Sequence, residues 1–126
     1  MSGQAAPGAQ AVAVAALFGL FAVAGGALAA HGLDDPRAIA WMEKASRYAM
    51  WHALALLGLQ ALGQLTRLRL ALFLAGVVLF SGSLTALAFG APGTTALVTP
   101  FGGTLLLLGW AAVLAGALRT RSPSGS

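Results

Sequence analysis

Cysteine is absent from this chain of 126 residues, and charge is scarce: seven Lys or Arg and three Asp or Glu together make up 8%. The first absence excludes a disulfide scaffold, a thiolate zinc site and an iron–sulfur centre. The second excludes a disordered polar or acidic tail protein, which needs the opposite composition. Hydrophobic residues reach 59%. An ordinary soluble domain is near half apolar and a quarter charged, so these proportions belong to a chain that lives in lipid.

The few charges are clustered. Asp34, Asp35, Arg37, Glu43, Lys44 and Arg47 form one group, Arg67 and Arg69 a second, and Arg119 and Arg121 a third. The charge-free runs between them predict membrane spans over about 11–30, 48–65, 70–89 and 100–118. Each is roughly 27–30 Å long as a helix, the thickness of a bilayer's hydrocarbon core. In lipid the backbone must satisfy its own hydrogen bonds, so the runs should be helical, and no strand-like alternation supports a β-barrel. The fold expected is an all-α integral membrane four-helix bundle. Placing the amino terminus inside leaves four basic residues in the cytoplasmic segments against three outside, a slight bias toward N-in, C-in. Ala27-Leu28-Ala29 would suit a signal-peptide cleavage site, but residues 1–10 hold no basic residue and the run exceeds a typical signal core. The arginines sit at span ends, without a basic stripe or interleaved aromatics, so nucleic acid is not an expected partner.

The segments 1–10 and 122–126 are small and polar and read as disordered tails; residues 11–121 read as one four-span domain. Residues 34–47 are the one sizeable polar connection. Asp35-Pro36 suits a helix cap and first turn. Arg37, Glu43, Lys44 and Arg47 share one face, so a short amphipathic helix is expected here, lying on the membrane or running straight into the second span. Trp41, Tyr48 and Trp51 fit an aromatic belt at that boundary. Thr66–Arg69 reads as a tight connection, Gly90–Thr95 as a turn, and Thr99-Pro100 as a cap and first-turn proline.

Small residues recur at intervals of seven. Gly102, Gly109 and Gly116 share a face of the fourth span, Gly19 and Gly26 a face of the first with Ala15 and Ala22 in the same stripe, and Gly76 and Ser83 a face of the third. This spacing favours left-handed crossings in which backbones approach closely. The expected role is helix packing; the alternative is one stripe facing outward to form a homo-oligomer.

Chemistry-bearing groups are few. His31 ends the first span and His52 lies a turn into the second, so both are expected on one side of the membrane. Tyr48, His52 and Gln60 follow one line along the second span, and polar groups at depth should face the protein interior. With Ser81 and Ser83 of the third span they form the candidate polar cluster. Three readings of the histidines stand together: structural bonds to backbone carbonyls or Tyr48, a proton relay, and ligation of a metal or haem. No HxxxH or ExxH spacing supports a metal, and no embedded carboxylate supports ion coupling. Ser81, Ser83 and Thr85 are expected to bond to i−4 carbonyls or to reach Gln60.

Gly25–Leu33 (GGALAAHGL), Tyr48–Ala55 (YAMWHALA), Leu79–Leu84 (LFSGSL) and Thr99–Gly103 (TPFGG) followed by Gly109-Trp110 occur in this order. Together they resemble the small bacterial inner-membrane family called domain of unknown function 423, which has distant animal transmembrane relatives. The likeness spans about residues 12–118; Phe101 departs from the aliphatic residue expected. The resemblance implies a multi-pass membrane protein of no established activity and supplies no catalytic residue, metal site or cofactor. It suggests that His31, Tyr48, His52, Ser81, Ser83, Thr99 and Pro100 belong to a shared pattern.

The reading that results is a multi-pass membrane protein without enzymatic chemistry, structural or accessory, acting in the bilayer with another membrane protein or with itself. Its rival is a binding or transport protein with a polar cavity lined by His31, Tyr48, His52, Gln60 and Ser83. A third is a haem- or quinone-binding redox subunit.

Overall fold

The computed structural model describes residues 8–120, which are helical throughout apart from short connections. Four long helices, α1 (Gly8–His31), α2 (Pro36–Ala61), α3 (Arg67–Ala88) and α4 (Thr99–Thr120), are joined by tight turns, with a 3-10 helix over Gly93–Leu97 before α4. No strand occurs among the described residues. Most of the expected amino-terminal tail lies outside the described residues, but Gly8, Ala9 and Gln10 form the first turn of α1. The segment 122–126 lies outside them altogether.

Local chemistry sets the helix ends. Asp35 caps α2, its side chain accepting the Arg37 backbone N–H at 3.2 Å, and Pro36 opens the first turn. From there α2 runs unbroken to Ala61, so of the two placements expected for the amphipathic segment the structure has the second: it is no separate short helix but runs straight into the second span as the first half of α2. The second expected span, 48–65, ends early for a stated reason. Gly63 adopts φ 69°, the Gln64 N–H reaches Leu59 O at 2.8 Å and the Gly63 N–H reaches Gln60 O at 3.1 Å. That is a Schellman termination, which needs a left-handed residue and therefore favours glycine. Gly90 (φ 95°) ends α3 in the same way, with the Ala91 N–H on Ala86 O and the Gly90 N–H on Leu87 O. Thr66 caps α3 by accepting the Arg69 N–H at 3.2 Å. The segment Thr66–Arg69, expected as a connection, is thus a cap and a first helical turn. Thr66→Ala should cost about 1 kcal/mol, read as a lowered thermal midpoint in detergent micelles; an unchanged midpoint would show that this cap is idle.

Three stretches are long and apolar enough to cross a membrane: Gly8–His31, Arg67–Ala88 and Gly93–Thr120. Their outer faces carry large apolar side chains in the open, among them Leu17, Leu20 and Val23 on α1, Val78 on α3 and Leu107, 72% exposed, on α4. Such continuous apolar surface suits lipid and not water. α2 differs. Arg37, Glu43, Lys44 and Arg47 occupy its first half, with an exposed Arg47–Glu43 pair at 3.9 Å and the Arg37 guanidinium 5.2 Å above the Trp41 ring.

Close packing follows chain order: α1 on α2, α2 on α3, α3 on α4, while α1 and α4 do not pack closely on each other. α1 meets α2 through Ala11, Ala15, Phe18, Ala22, Gly25 and Ala29, at alternating steps of four and three. That face keeps Ala15 and Ala22 of the expected stripe but leaves out Gly19 and Gly26. Gly19 and Gly26 have open space where a Cβ would be, whereas Gly25 stands against Ser46 and Met42. On α4 the stripe does lie against α3: Gly102 on the Phe80 backbone and Gly76 O, Gly109 on the Phe73 ring, Gly116 on the Arg69 guanidinium. The core includes Phe73, Met42, Leu56 and Leu65, all fully buried.

Candidate functional site

The antiparallel register fixes where each polar group falls. Gly25 of α1 faces Ser46 and Gly8 faces Gln60, so α1 and α2 run past each other along their whole lengths. His52 is therefore about 24 Å of helix rise from Pro36, well inside the molecule. It is 4% exposed. Its Nδ1 is 2.7 Å from the Tyr48 carbonyl oxygen, and the indole Nε1–H of Trp110 donates to its Nε2 at 3.1 Å.

These two bonds determine the ring's chemistry. A carbonyl oxygen only accepts, so Nδ1 must carry the hydrogen. An indole N–H only donates, so Nε2 must offer its lone pair. The tautomer is neutral Nδ1–H, with both nitrogens occupied. Around it, Phe73 lies 5.4 Å from the His52 ring centroid and 5.2 Å, edge-on, from that of Trp110. Tyr48 lies 4.2 Å from Phe80 and 4.9 Å from Trp51. The result is an aromatic joint that ties α2 to α4 across α3, two helices whose backbones do not pack closely.

Most of the remaining interior polar groups also join helices; the exceptions are Thr85, which bonds within α3, and Ser46, whose buried hydroxyl has no hydrogen-bond partner among the described residues. Ser81 Oγ donates to Ala45 O at 2.8 Å, linking α3 to α2. Ser83 Oγ lies 3.0 Å from Phe80 O and 2.6 Å from Thr99 Oγ1, linking α3 to the start of α4. Thr99, expected as a cap, therefore has its hydroxyl directed to Ser83. Thr85 takes the i−4 carbonyl of Ser81 at 2.7 Å. Arg69, read from sequence as a loop residue, is 8% exposed: its guanidinium donates to Gln64 O at 2.5 Å in the α2–α3 turn and to Ala112 O of α4 at 3.2 Å. The missing side chain of Gly116 makes room for it.

The expected polar cluster is only partly assembled. Tyr48 and His52 share one neighbourhood, and Ser81 lies near them through Ala45. His31 does not join: it is exposed at the end of α1, far from His52, because α2 starts at Pro36 and not at Tyr48. Gln60 is at the opposite end of α2, beside Gly8. A cavity of about 460 Å³ opens between α2 and α4, lined mainly by aromatic and apolar groups including Tyr48, Trp51, His52, Phe80 and Trp110. His31, Gln60 and Ser83 are not in its wall. Among the described residues, no three His, Asp or Glu side chains converge as a metal site would need. A metal or haem iron at His52 would have to displace either Trp110 or the helix carbonyl.

Residues 25–103 match the family described as protein of unknown function (DUF423). A protein of Haemophilus influenzae named UPF0382 membrane protein is 43% identical over 114 residues, covering 85% of this chain and 92% of its own. The chain belongs to this family. The Escherichia coli relative named UPF0382 inner membrane protein YgdD is 40% identical over 116 residues, covering 85% of this chain and 88% of the relative. A UPF0382 membrane protein of Staphylococcus epidermidis is 35% identical over 115 residues, covering 86% and 94%. No solved structure matches. The family supplies a membrane setting and no assigned activity, which agrees with the apolar helices. The matched stretch includes Tyr48, His52, Ser81, Ser83 and Thr99 but ends before Trp110.

Sequence reasoning passed over two of the groups that organise this interior. Trp110 was visible only as part of a motif beside Gly109. Arg69 had one usable signal: it lies three residues after the Thr66 cap, where a side chain has already entered the helix.

Proposed function

We propose that this protein is a single four-span domain, over about residues 11–121, with a structural or accessory role in the membrane and no enzymatic chemistry. The observation that carries this reading is the use of its interior polar groups. His52, Ser81, Ser83, Thr99 and Arg69 are each engaged in a bond between helices or across a turn. Apolar side chains cover the outside. Such a molecule offers a rigid, lipid-facing surface to a neighbouring membrane protein or a second copy.

In this reading α2 is the fourth span. Its charge-free part, Tyr48–Ala61, rises about 21 Å. The charged first half then emerges into the interface, where long basic side chains reach water. Arg67, Arg69 and Arg119 mark the cytoplasmic end. The chain's lack of cysteine makes the test direct. Single cysteines at Asp34→Cys and Leu62→Cys should be labelled by an impermeant maleimide from opposite sides of the membrane; labelling from one side would mean that α2 does not cross. For the accessory role, crosslinking in intact membranes followed by mild detergent should recover a species larger than one chain. Recovery of the monomer alone would overturn it.

A further inference from the structure

α1 and α3 run in the same direction and both pack on α2, which leaves a groove between them on one face of the molecule. Two hollows lie along it. The first, about 300 Å³, is bounded by Gln10 and Val14 of α1 and by Arg67, Leu70, Ala71 and Leu74 of α3. The second, about 260 Å³, continues the line with Phe18 and Phe21 against Val77, Val78 and Gly82. From Arg67 to Gly82 the groove rises about 22 Å along α3, more than the roughly 15 Å of hydrocarbon in one leaflet.

The groove has a polarity. Its walls are apolar except for Ser81, whose hydroxyl donates to Ala45 O, and for one end, where Arg67 and Gln10 stand. The acidic residues Asp34, Asp35 and Glu43 all lie at the opposite end of the molecule, before or within the first half of α2. An occupant must therefore be anionic where it meets Arg67, apolar along its length and long enough to follow α3 inward. We propose that the α1/α3 groove holds one anionic phospholipid, its phosphate at Arg67 and Gln10 and an acyl chain lying along Val14, Leu74 and Val78. The lipid stands where a further helix would otherwise pack, and it covers apolar surface that the chain leaves open between its first and third helices. This rests on the membrane reading of α1 and α3 but not on the accessory role or on α2 crossing.

The test is native mass spectrometry of the full chain released from micelles that contain phosphatidylglycerol or phosphatidylcholine. One phosphatidylglycerol should stay bound per chain, in preference to phosphatidylcholine. Arg67→Gln, an exposed change, should weaken retention of the anionic lipid roughly fivefold, the effect of one basic group at an anionic surface. Ala71→Trp, also at an exposed position, should fill the groove and abolish retention of either lipid, with helicity by circular dichroism confirming the fold. Gly103→Leu in the α2/α4 cavity should leave retention unchanged. Equal retention of both lipids, an adduct indifferent to Ala71→Trp, or crosslinks from Ala71→Cys to a second copy of the chain would each overturn the proposal.

Discussion

Gly102→Val should pull α4 away from α3. A Cβ at this position meets the backbone of Phe80 and, at 2.8 Å, the carbonyl oxygen of Gly76. Those atoms belong to a helix backbone and cannot turn aside as a side chain can, so the whole crossing must open. The bond between Ser83 and Thr99 and the pairing of Trp110 with His52 depend on that crossing. The expected loss is about 3 kcal/mol or more, the upper range for overfilling a packed interface, measured by denaturation in micelles followed through tryptophan fluorescence. Gly19→Ala and Gly26→Ala are the counterpart. Neither new Cβ meets an atom within 4 Å, and alanine favours the helix over glycine, so both should be neutral or slightly stabilising. A destabilised Gly26→Ala variant, or a Gly102→Val protein as stable as its parent, would contradict the register of these helices.

The aromatic joint should behave as a coupled unit. His52→Phe removes the acceptor for the Trp110 N–H and the donor to Tyr48 O; Trp110→Phe leaves the His52 Nε2 lone pair without a partner. Trp110→Phe, which strands a nitrogen of the buried His52, should cost about 1–3 kcal/mol; His52→Phe, which frees the N–H of the partly exposed Trp110, should cost about 1 kcal/mol. The double variant should cost less than the sum, with a coupling energy on the order of 1 kcal/mol. Strict additivity would mean that the bond between α2 and α4 contributes nothing.

Much of the architecture was legible in the residues because lipid imposes simple rules. Charge-free runs of bilayer length had to be helices, and Asp35-Pro36 and the segment from Gly90 were legible as a helix start and a turn, whereas Gly63 as a helix stop and Thr66 as a cap were not singled out. What the runs could not reveal is that the helix of the second span begins inside a charged segment. Asp35-Pro36 marked the start of a helix, but the charges of residues 37–47 left open whether it joined the second span, and the separation of His31 from His52 follows from that continuity. Spacing by seven was informative on α4, where glycines meet bulky partners such as Phe73. On α1 the face against α2 is built largely of alanine: Ala15 and Ala22 of the expected stripe lie on it, while Gly19 and Gly26, each one position from it, do not. Arg69 was hidden because its acceptors are backbone carbonyls, one of them in α4, and carbonyls leave no trace in a sequence.

The order of contacts carries a consequence for biogenesis. A ribosome delivers α1 before α2, α2 before α3 and α3 before α4, so each newly released segment finds its main docking face already in the bilayer. No early helix has to wait for a late one across a long loop, a topology that favours rapid assembly. Among the described residues, only the bond from Trp110 to His52 reaches back past its immediate predecessor, and it closes last, as a latch on a stack already built.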